Sequence, residues 1–283
     1  MTAPAPAGGP RPDHTVFAGR PLVVKIGGAS LERQRETPAL WHALVEKHRT
    51  HAGGIVLVHG GGRMVDALLD RLAMKTERRE GIRITPQDQM DVIAGVLAGT
   101  VNKQLVGAIN ASVPGSPAVG LCLGDGGSLS TSRTTRFAFD PGCVGDVDPA
   151  DSGANLLREL LRLRYLPVVA CIGIGRDGGL LNVNGDDAAA GVARALGAAA
   201  LVLLTDVEGV RGADGRTIPE LTPARIEQLI RDGVIAGGMV PKTRSAAETA
   251  RHTGAPVVIL SAAPEHFAAY LRGDPVGTRV LPA

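Results

Sequence analysis

From Pro21 onward, short and almost continuously apolar runs alternate with longer segments of helical character, and few folds accommodate that order. The runs are 21–26 (PLVVKI), 54–58 (GIVLV), 118–123 (AVGLCL), 166–172 (LPVVACI), 199–205 (AALVLLT) and 256–260 (PVVIL). Strands covered on both faces lose the polar–apolar alternation of half-exposed ones, and these read that way. Helical segments are expected near 30–50, 63–73, 86–111, 152–164, 186–196, 222–232, 239–253 and 264–271. The alternation predicts an α/β fold, a three-layer αβα sandwich around a mostly parallel sheet. Two stretches interrupt it. Residues 124–150 read as a hairpin excursion, with Phe137 and Phe139 at strand spacing, and 173–184 (GIGRDGGLLNVN) read as a β-hairpin. The 283 residues then divide into a flexible, Pro- and Gly-rich tail (1–20), an N-lobe (21–172) and a C-lobe (173–283).

Composition removes several function classes. One Trp, two Tyr and four Phe leave the core to aliphatic residues and supply few platforms for stacking bases. A net charge of +2 gives no field that would gather a polyanion, so no nucleic-acid partner is expected. Cys122, Cys143 and Cys171 lie far apart without C-x-x-C spacing, which argues for thiols in a reducing compartment and against a disulfide framework or a protein-held metal. No run reaches the ~18 apolar residues of a membrane span. Residues 1–20 have no apolar signal core, so a cytoplasmic protein with no membrane partner is expected.

Six motifs then compete between chemistry and plain structure. Gly173-Ile174-Gly175-Arg176-Asp177-Gly178 fits G-x-G-x-x-G, but it runs into Gly179-Leu180-Leu181 rather than opening a helix, so it is not read as a dinucleotide site. No Walker-type loop occurs. His59-Gly60-Gly61-Gly62 follows a strand and precedes a helix. It suits an anion cradle or a tight turn, while an esterase oxyanion loop lacks its G-x-S-x-G partner. Lys25-Ile26-Gly27-Gly28 ends the first strand, where parallel sheets place ligands, and Lys25 is either a site lysine or a surface one. In Asn182-Val183-Asn184-Gly185-Asp186-Asp187, alternation puts Asn182 and Asn184 on one face, and Asp186 or Asp187 is a helix cap or a functional carboxylate. Lys242, at a helix start in Gly237-Gly238-Met239-Val240-Pro241-Lys242, opposes the helix dipole unless it meets an anion. Arg83, in Gly81-Ile82-Arg83-Ile84-Thr85-Pro86 ahead of a helix, is a carboxylate clamp or a solvated loop residue.

Taken in order, KIGG, HGGG, GIRIT, NVNGDDAA, LLTDVEGV and GGMVPK make a chain that resembles the amino acid kinase family over residues 21–282. The resemblance is closest to the branch that acts on N-acetyl-L-glutamate in arginine biosynthesis. GIRITPQDQMDVIAGVLAGTVNKQLV (81–106), NVNGDDAA (182–189) and DGVIAGGMVPK (232–242) are its most specific pieces, and Gly185 stands where the family usually has alanine. The resemblance implies transfer of the γ-phosphoryl of ATP to a side-chain carboxylate. Lys25 and Lys242 would stabilise the transferring charge, with Asp186 holding both lysines, and Gly28, Gly61 and Gly62 would cradle its oxygens. Arg83 and Asn182 would bind the substrate's α-carboxylate. Asp206, Val207, Glu208, Gly209, Val210, Arg211, Val234, Ile235 and Ala236 would line the nucleotide site, and Mg²⁺ would arrive with ATP. Two alternatives remain: a relative acting on a carrier-linked aminoadipate or glutamate, and a non-catalytic sensor on the same fold. The sensor is disfavoured because Lys25, Asp186 and Lys242 are all present. A homodimer is expected, through the segment 86–111 with Met90, Ile93, Val96 and Leu97, a spacing that equally suits an internal core face. Strong feedback by arginine is not expected, because the prolines at 4, 6, 10 and 12 exclude the N-terminal helix that links arginine-sensitive relatives into hexamers.

Overall fold

The structure, a computed structural model, describes residues 19–148 and 152–282, so nearly all of the expected N-terminal tail lies outside the described residues. The strands in chain order are β1 (Leu22–Ile26), β2 (Ile55–His59), β3 (Glu77–Arg79), β4 (Ile82–Ile84), β5 (Ala118–Cys122), β6 (Thr131–Arg133) and β7 (Val144–Val147). They continue with β8 (Leu166–Ala170), β9 (Ile172–Ile174), β10 (Leu180–Val183), β11 (Ala200–Thr205), β12 (Glu220–Leu221), β13 (Val257–Ser261) and β14 (Thr278–Val280). All six apolar runs are strands of one eight-stranded sheet, ordered β12-β14-β13-β11-β1-β2-β8-β5 and parallel except between β13 and β14. β1 lies near the middle, with β11 and the C-terminal strands on one side and β2, β8 and β5 on the other.

The helices are α1 (Gly28–Glu32), α2 (Pro38–Thr50), α3 (Gly62–Arg71), α4 (Gln87–Ala94), α5 (Asn102–Ser112), α6 (Asn155–Arg162), α7 (Gly185–Leu196), α8 (Pro223–Arg231), α9 (Met239–Thr253) and α10 (Pro264–Arg272). α2, α5 and α10 pack as one layer, and α7, α8 and α9 as the other. The single helix expected over 30–50 is broken between Glu32 and Pro38. Proline pushes the residue ahead of it out of the helical region, and Thr37 sits at φ −119°, ψ 52°.

α4 and α5 are joined without interruption by a π-helical segment, Gly95–Val101, in which hydrogen bonds run from i to i+5. By length and composition the whole helix, Gln87–Ser112, is apolar enough to cross a membrane, although polar residues interrupt its apolar runs. Met90, Ile93, Val96 and Leu97 are buried in the chain's own core. They are therefore not the dimer surface that their spacing also allowed.

The two interruptions form one second sheet, ordered β6-β7-β10-β9, in which β10 pairs parallel with β7 and antiparallel with β9. The hairpin expected over 173–184 is β9–β10. Phe137 and Phe139 are not in strands. They lie in the connection between β6 and β7, ring centroids 5.3 Å apart, and Arg79 from the β3–β4 hairpin sits 4.3 Å above Phe139.

Candidate active site

The C-terminal ends of β1 and β2 lie side by side, with Lys25 in register with Val58 and Ile26 with His59, so the two glycine turns that follow open at one edge. A cleft of about 260 Å³ lies there. It is lined by Lys25, Gly28, Gly61, Gly62, Arg83, Asn182 and Asp186, which unites every sequence-derived residue of the phosphoryl and acceptor sites except Lys242. Gly62 opens α3 and Gly185 opens α7, so the positive ends of two helices meet at the cleft. Gly61 has φ +148°, and a Cβ there would stand 2.8 Å from Leu97 Cδ2, so the backbone conformation and the close packing both require glycine.

Lys25 is not a surface residue. Its side chain is 19% exposed, and its ammonium stands 2.9 Å from Asp186 Oδ1. The helix cap that the sequence offers to Asp186 or Asp187 comes instead from Asn184, whose Oδ1 accepts from the N–H groups of both aspartates. Both carboxylates are thereby free to meet cations: Asp186 meets Lys25, and Asp187 meets Arg136 at 2.7 Å.

Arg83 lies in strand β4 rather than in a loop, and it is buried. One amino group of its guanidinium stands 2.6 Å from Asp66 and donates to the Gly62 carbonyl at 3.1 Å. Arg78 takes the other oxygen of Asp66 at 2.7 Å. A single carboxylate on α3 therefore orients two arginines toward the cleft. Asn182, on β10 of the second sheet, donates to Thr85 Oγ1 at 3.0 Å. Arg78 and Arg136, which sequence reasoning passed over, bring the lining charges to four cations and one carboxylate. Neither sits in a distinctive pattern: Arg78 belongs to ERRE and Arg136 to TSRTTR. Cys171 also lines the cleft, but burial pushes its thiol up to about 11, so it is neutral and no nucleophile.

Lys242 stands apart from this cleft, in the first turn of α9. Its partner is Asp206 Oδ1 at 3.5 Å, not Asp186, so the expectation that one aspartate holds both lysines is not met in this conformation. Asp206 follows β11 directly, so the contact sets Lys242 beside the first of the two expected nucleotide segments. Within them Val210 and Ile235 are core residues, while Glu208, Arg211 and Ala236 are exposed. Val207 and Val234 are half-buried. Among the described residues no group of three or more His, Cys, Asp or Glu side chains is placed to cage a metal.

The profile of the amino acid kinase family matches residues 20–261. An acetylglutamate kinase of Yersinia enterocolitica is 41% identical over 92% of this chain and all of its own length. One from Pectobacterium carotovorum is 42% identical, over 92% of this chain and 99% of its own. Among solved structures, a carbamate kinase from Giardia lamblia bound to AMP-PNP is 19% identical and shares the fold, with a TM-score of 0.64 over 94% of this chain and all of its own. An N-acetylglutamate synthase from Neisseria gonorrhoeae, complexed with coenzyme A and L-arginine, superposes with a TM-score of 0.74 at 23% identity, over 94% of this chain and 62% of its own.

Proposed function

The chain belongs to the amino acid kinase family, and from that premise we propose that it transfers the γ-phosphoryl of ATP to the side-chain carboxylate of N-acetyl-L-glutamate. The product is N-acetyl-L-glutamyl 5-phosphate, in arginine biosynthesis. A carboxylate oxygen attacks the γ-phosphorus, the bond to the β–γ bridging oxygen breaks, and ADP leaves with that electron pair. A Glu-type carboxyl is ionised at neutral pH, its ordinary pKa being ≈ 4.3, so no general base is needed. What the reaction needs is neutralisation where two anions meet.

The observation that carries this reading is the cation-rich cleft in which Lys25 lies between two glycine turns. Lys25 neutralises the transferring group, and Lys242 does so from the nucleotide side. The N–H groups of Gly28, Gly61 and Gly62 receive its oxygens. Arg83 and Asn182 take the α-carboxylate of the acceptor, and the C-lobe segments 206–211 and 234–236 hold ATP. Mg²⁺ bound to the phosphates of ATP would shield their charge. An ATP-dependent hydroxylamine trap detects the acyl phosphate directly. Run against N-acetylglutamate, glutamate, aspartate and N-acetyl-aminoadipate, it is expected to respond best to the first. Glutamate is expected to be poor, since a γ-acyl phosphate beside a free amine cyclises. Comparable kcat/KM for glutamate would move the assignment to that substrate. The same reading includes a homodimer without strong arginine inhibition. Light scattering with an arginine titration tests it, and an arginine-inhibited hexamer would refute it.

A further inference from the structure

Two fully buried polar side chains lie directly behind the glycine turn, and the chemistry above uses neither. His59 ends β2, Asn102 opens α5, and both have no exposed surface. The ring of His59 places Nδ1 2.8 Å from the carbonyl oxygen of Gly60 and Nε2 3.0 Å from the amide nitrogen of Asn102. That amide nitrogen also donates to the Val168 carbonyl at 2.9 Å, while Asn102 Oδ1 accepts from Lys103 at 3.1 Å. A carbonyl oxygen only accepts and an amide NH₂ only donates, so both contacts of this nitrogen are donations. Nε2 is therefore an acceptor, the ring proton is on Nδ1, and Nδ1–H donates to Gly60. Burial lowers His59 to about 4, which keeps the ring neutral.

The consequence falls on the Gly60–Gly61 peptide. In a planar trans peptide the C=O and the following N–H point in opposite directions. With the Gly60 carbonyl held by the imidazole, the Gly61 N–H is turned away from the ring, at the turn that lines the cleft. The π-helical segment makes the arrangement possible. Its i to i+5 closure joins Asn102 N–H to the Leu97 carbonyl, so Leu97 packs on Gly61, with Val101 beside it, while Asn102 meets His59. Gly120 completes it, because a Cβ there would overlap Asn102 Oδ1.

We propose that His59 and Asn102 are positioning residues that set the Gly60–Gly61 peptide, so that the Gly61 N–H is presented to an oxygen of the transferring phosphoryl group. This rests on the reading that the glycine turn cradles that group. Two substitutions separate positioning from space-filling. In His59→Asn the amide nitrogen takes the place of Nδ1 and still donates to Gly60. In His59→Gln the longer side chain reaches Asn102 but leaves the Gly60 carbonyl without its donor. The expected result is a kcat within about threefold of wild type for His59→Asn and a fall on the order of tenfold or more for His59→Gln, with little change in KM. Gln is the closer match to His in volume, so a filler role ranks the two the other way, and that ranking would overturn the proposal. Independently, ¹⁵N NMR of the wild-type ring is expected to show the neutral Nδ1–H tautomer from about pH 6 to about pH 8. An Nε2–H tautomer or an imidazolium would overturn it even if neither variant folds. Absence of acyl phosphate from the wild-type chain would instead refute the kinase reading, leaving the tautomer to decide the pair on its own.

Discussion

Gly61→Ala tests the architecture of the glycine turn. Gly61 has φ +148° and ψ 25°, and holding an L side chain in such a region costs about 1–3 kcal/mol. The added methyl would also stand 2.8 Å from Leu97 Cδ2 and 3.3 Å from Val101 Cγ2. Both neighbours are buried on the π-helical segment, so overpacking adds about 1–3 kcal/mol. The sum, centred near 4 kcal/mol, lowers Tm by about 10 °C at the ~2–4 °C per kcal/mol of a chain this size. Because relief comes by moving the turn, kcat should fall by on the order of 10² as well. Gly62→Ala is the internal control. Its methyl would approach nothing closer than the Arg78 and Arg83 guanidinium nitrogens at 4.0 Å. Stability should change by no more than about 0.5 kcal/mol, while the KM of the acceptor rises. Thermal melts with the hydroxamate assay read both quantities. Equal melting temperatures for Gly61→Ala and wild type would refute the reasoning.

Lys25→Ala and Lys242→Ala should each lower kcat by on the order of 10²–10³ with smaller changes in KM, as for loss of one charge donor in the transition state. Near-normal kcat in Lys25→Ala would remove it from the mechanism. Arg83→Lys should raise KM for the acceptor and leave that for ATP alone, because a lysine keeps the charge but cannot make the planar bidentate fork that reaches Asp66 and a substrate carboxylate at once. A change confined to the ATP KM would place Arg83 in the nucleotide site. Gly185→Ala should be accepted, since its methyl would rest 3.5 Å from Gly60 Cα and 3.6 Å from Lys25 Cε, ordinary contacts. It is expected to add about 0.4–1 kcal/mol of stability at unchanged kcat/KM, and a tenfold loss of activity would contradict that.

Much of the main sheet was legible because its strands are buried on both faces, which leaves a continuous apolar signature that tertiary context reinforces. Every predicted central strand lies within a residue or two of its observed span. The excursion at 124–150 was harder. Its strands β6 and β7 are three and four residues long, too short for alternation to be distinctive, and the eye falls instead on Phe137 and Phe139. The site divides the same way. Residues in glycine-rich turns at strand ends announced themselves, because glycine there has a conformational reason. Arg78 and Arg136 did not, because nothing local distinguishes an arginine held by a distant carboxylate from a solvated one. The sequence leaves an aspartate at α7 open as cap or functional carboxylate, and the cap falls to Asn184, one place ahead of the helix, which is the position a cap takes.

The pairing of the lysines carries the least local information and bears most directly on catalysis. In this conformation each lysine has its own carboxylate, Lys25 with Asp186 and Lys242 with Asp206, and those carboxylates are 50% and 84% exposed. Ion pairs this open contribute about 0–1 kcal/mol. They orient the ammonium groups without holding them strongly. A polyphosphate offers each lysine several charge-assisted bonds in place of one, so it can take both from their partners at little cost. Had Asp186 been buried between both lysines, the same exchange would have meant breaking a desolvated network, at a cost of about 3–5 kcal/mol. Separate pairs with exposed carboxylates therefore suit the proposed role of the two lysines, which is to follow a phosphoryl group from one oxygen to another.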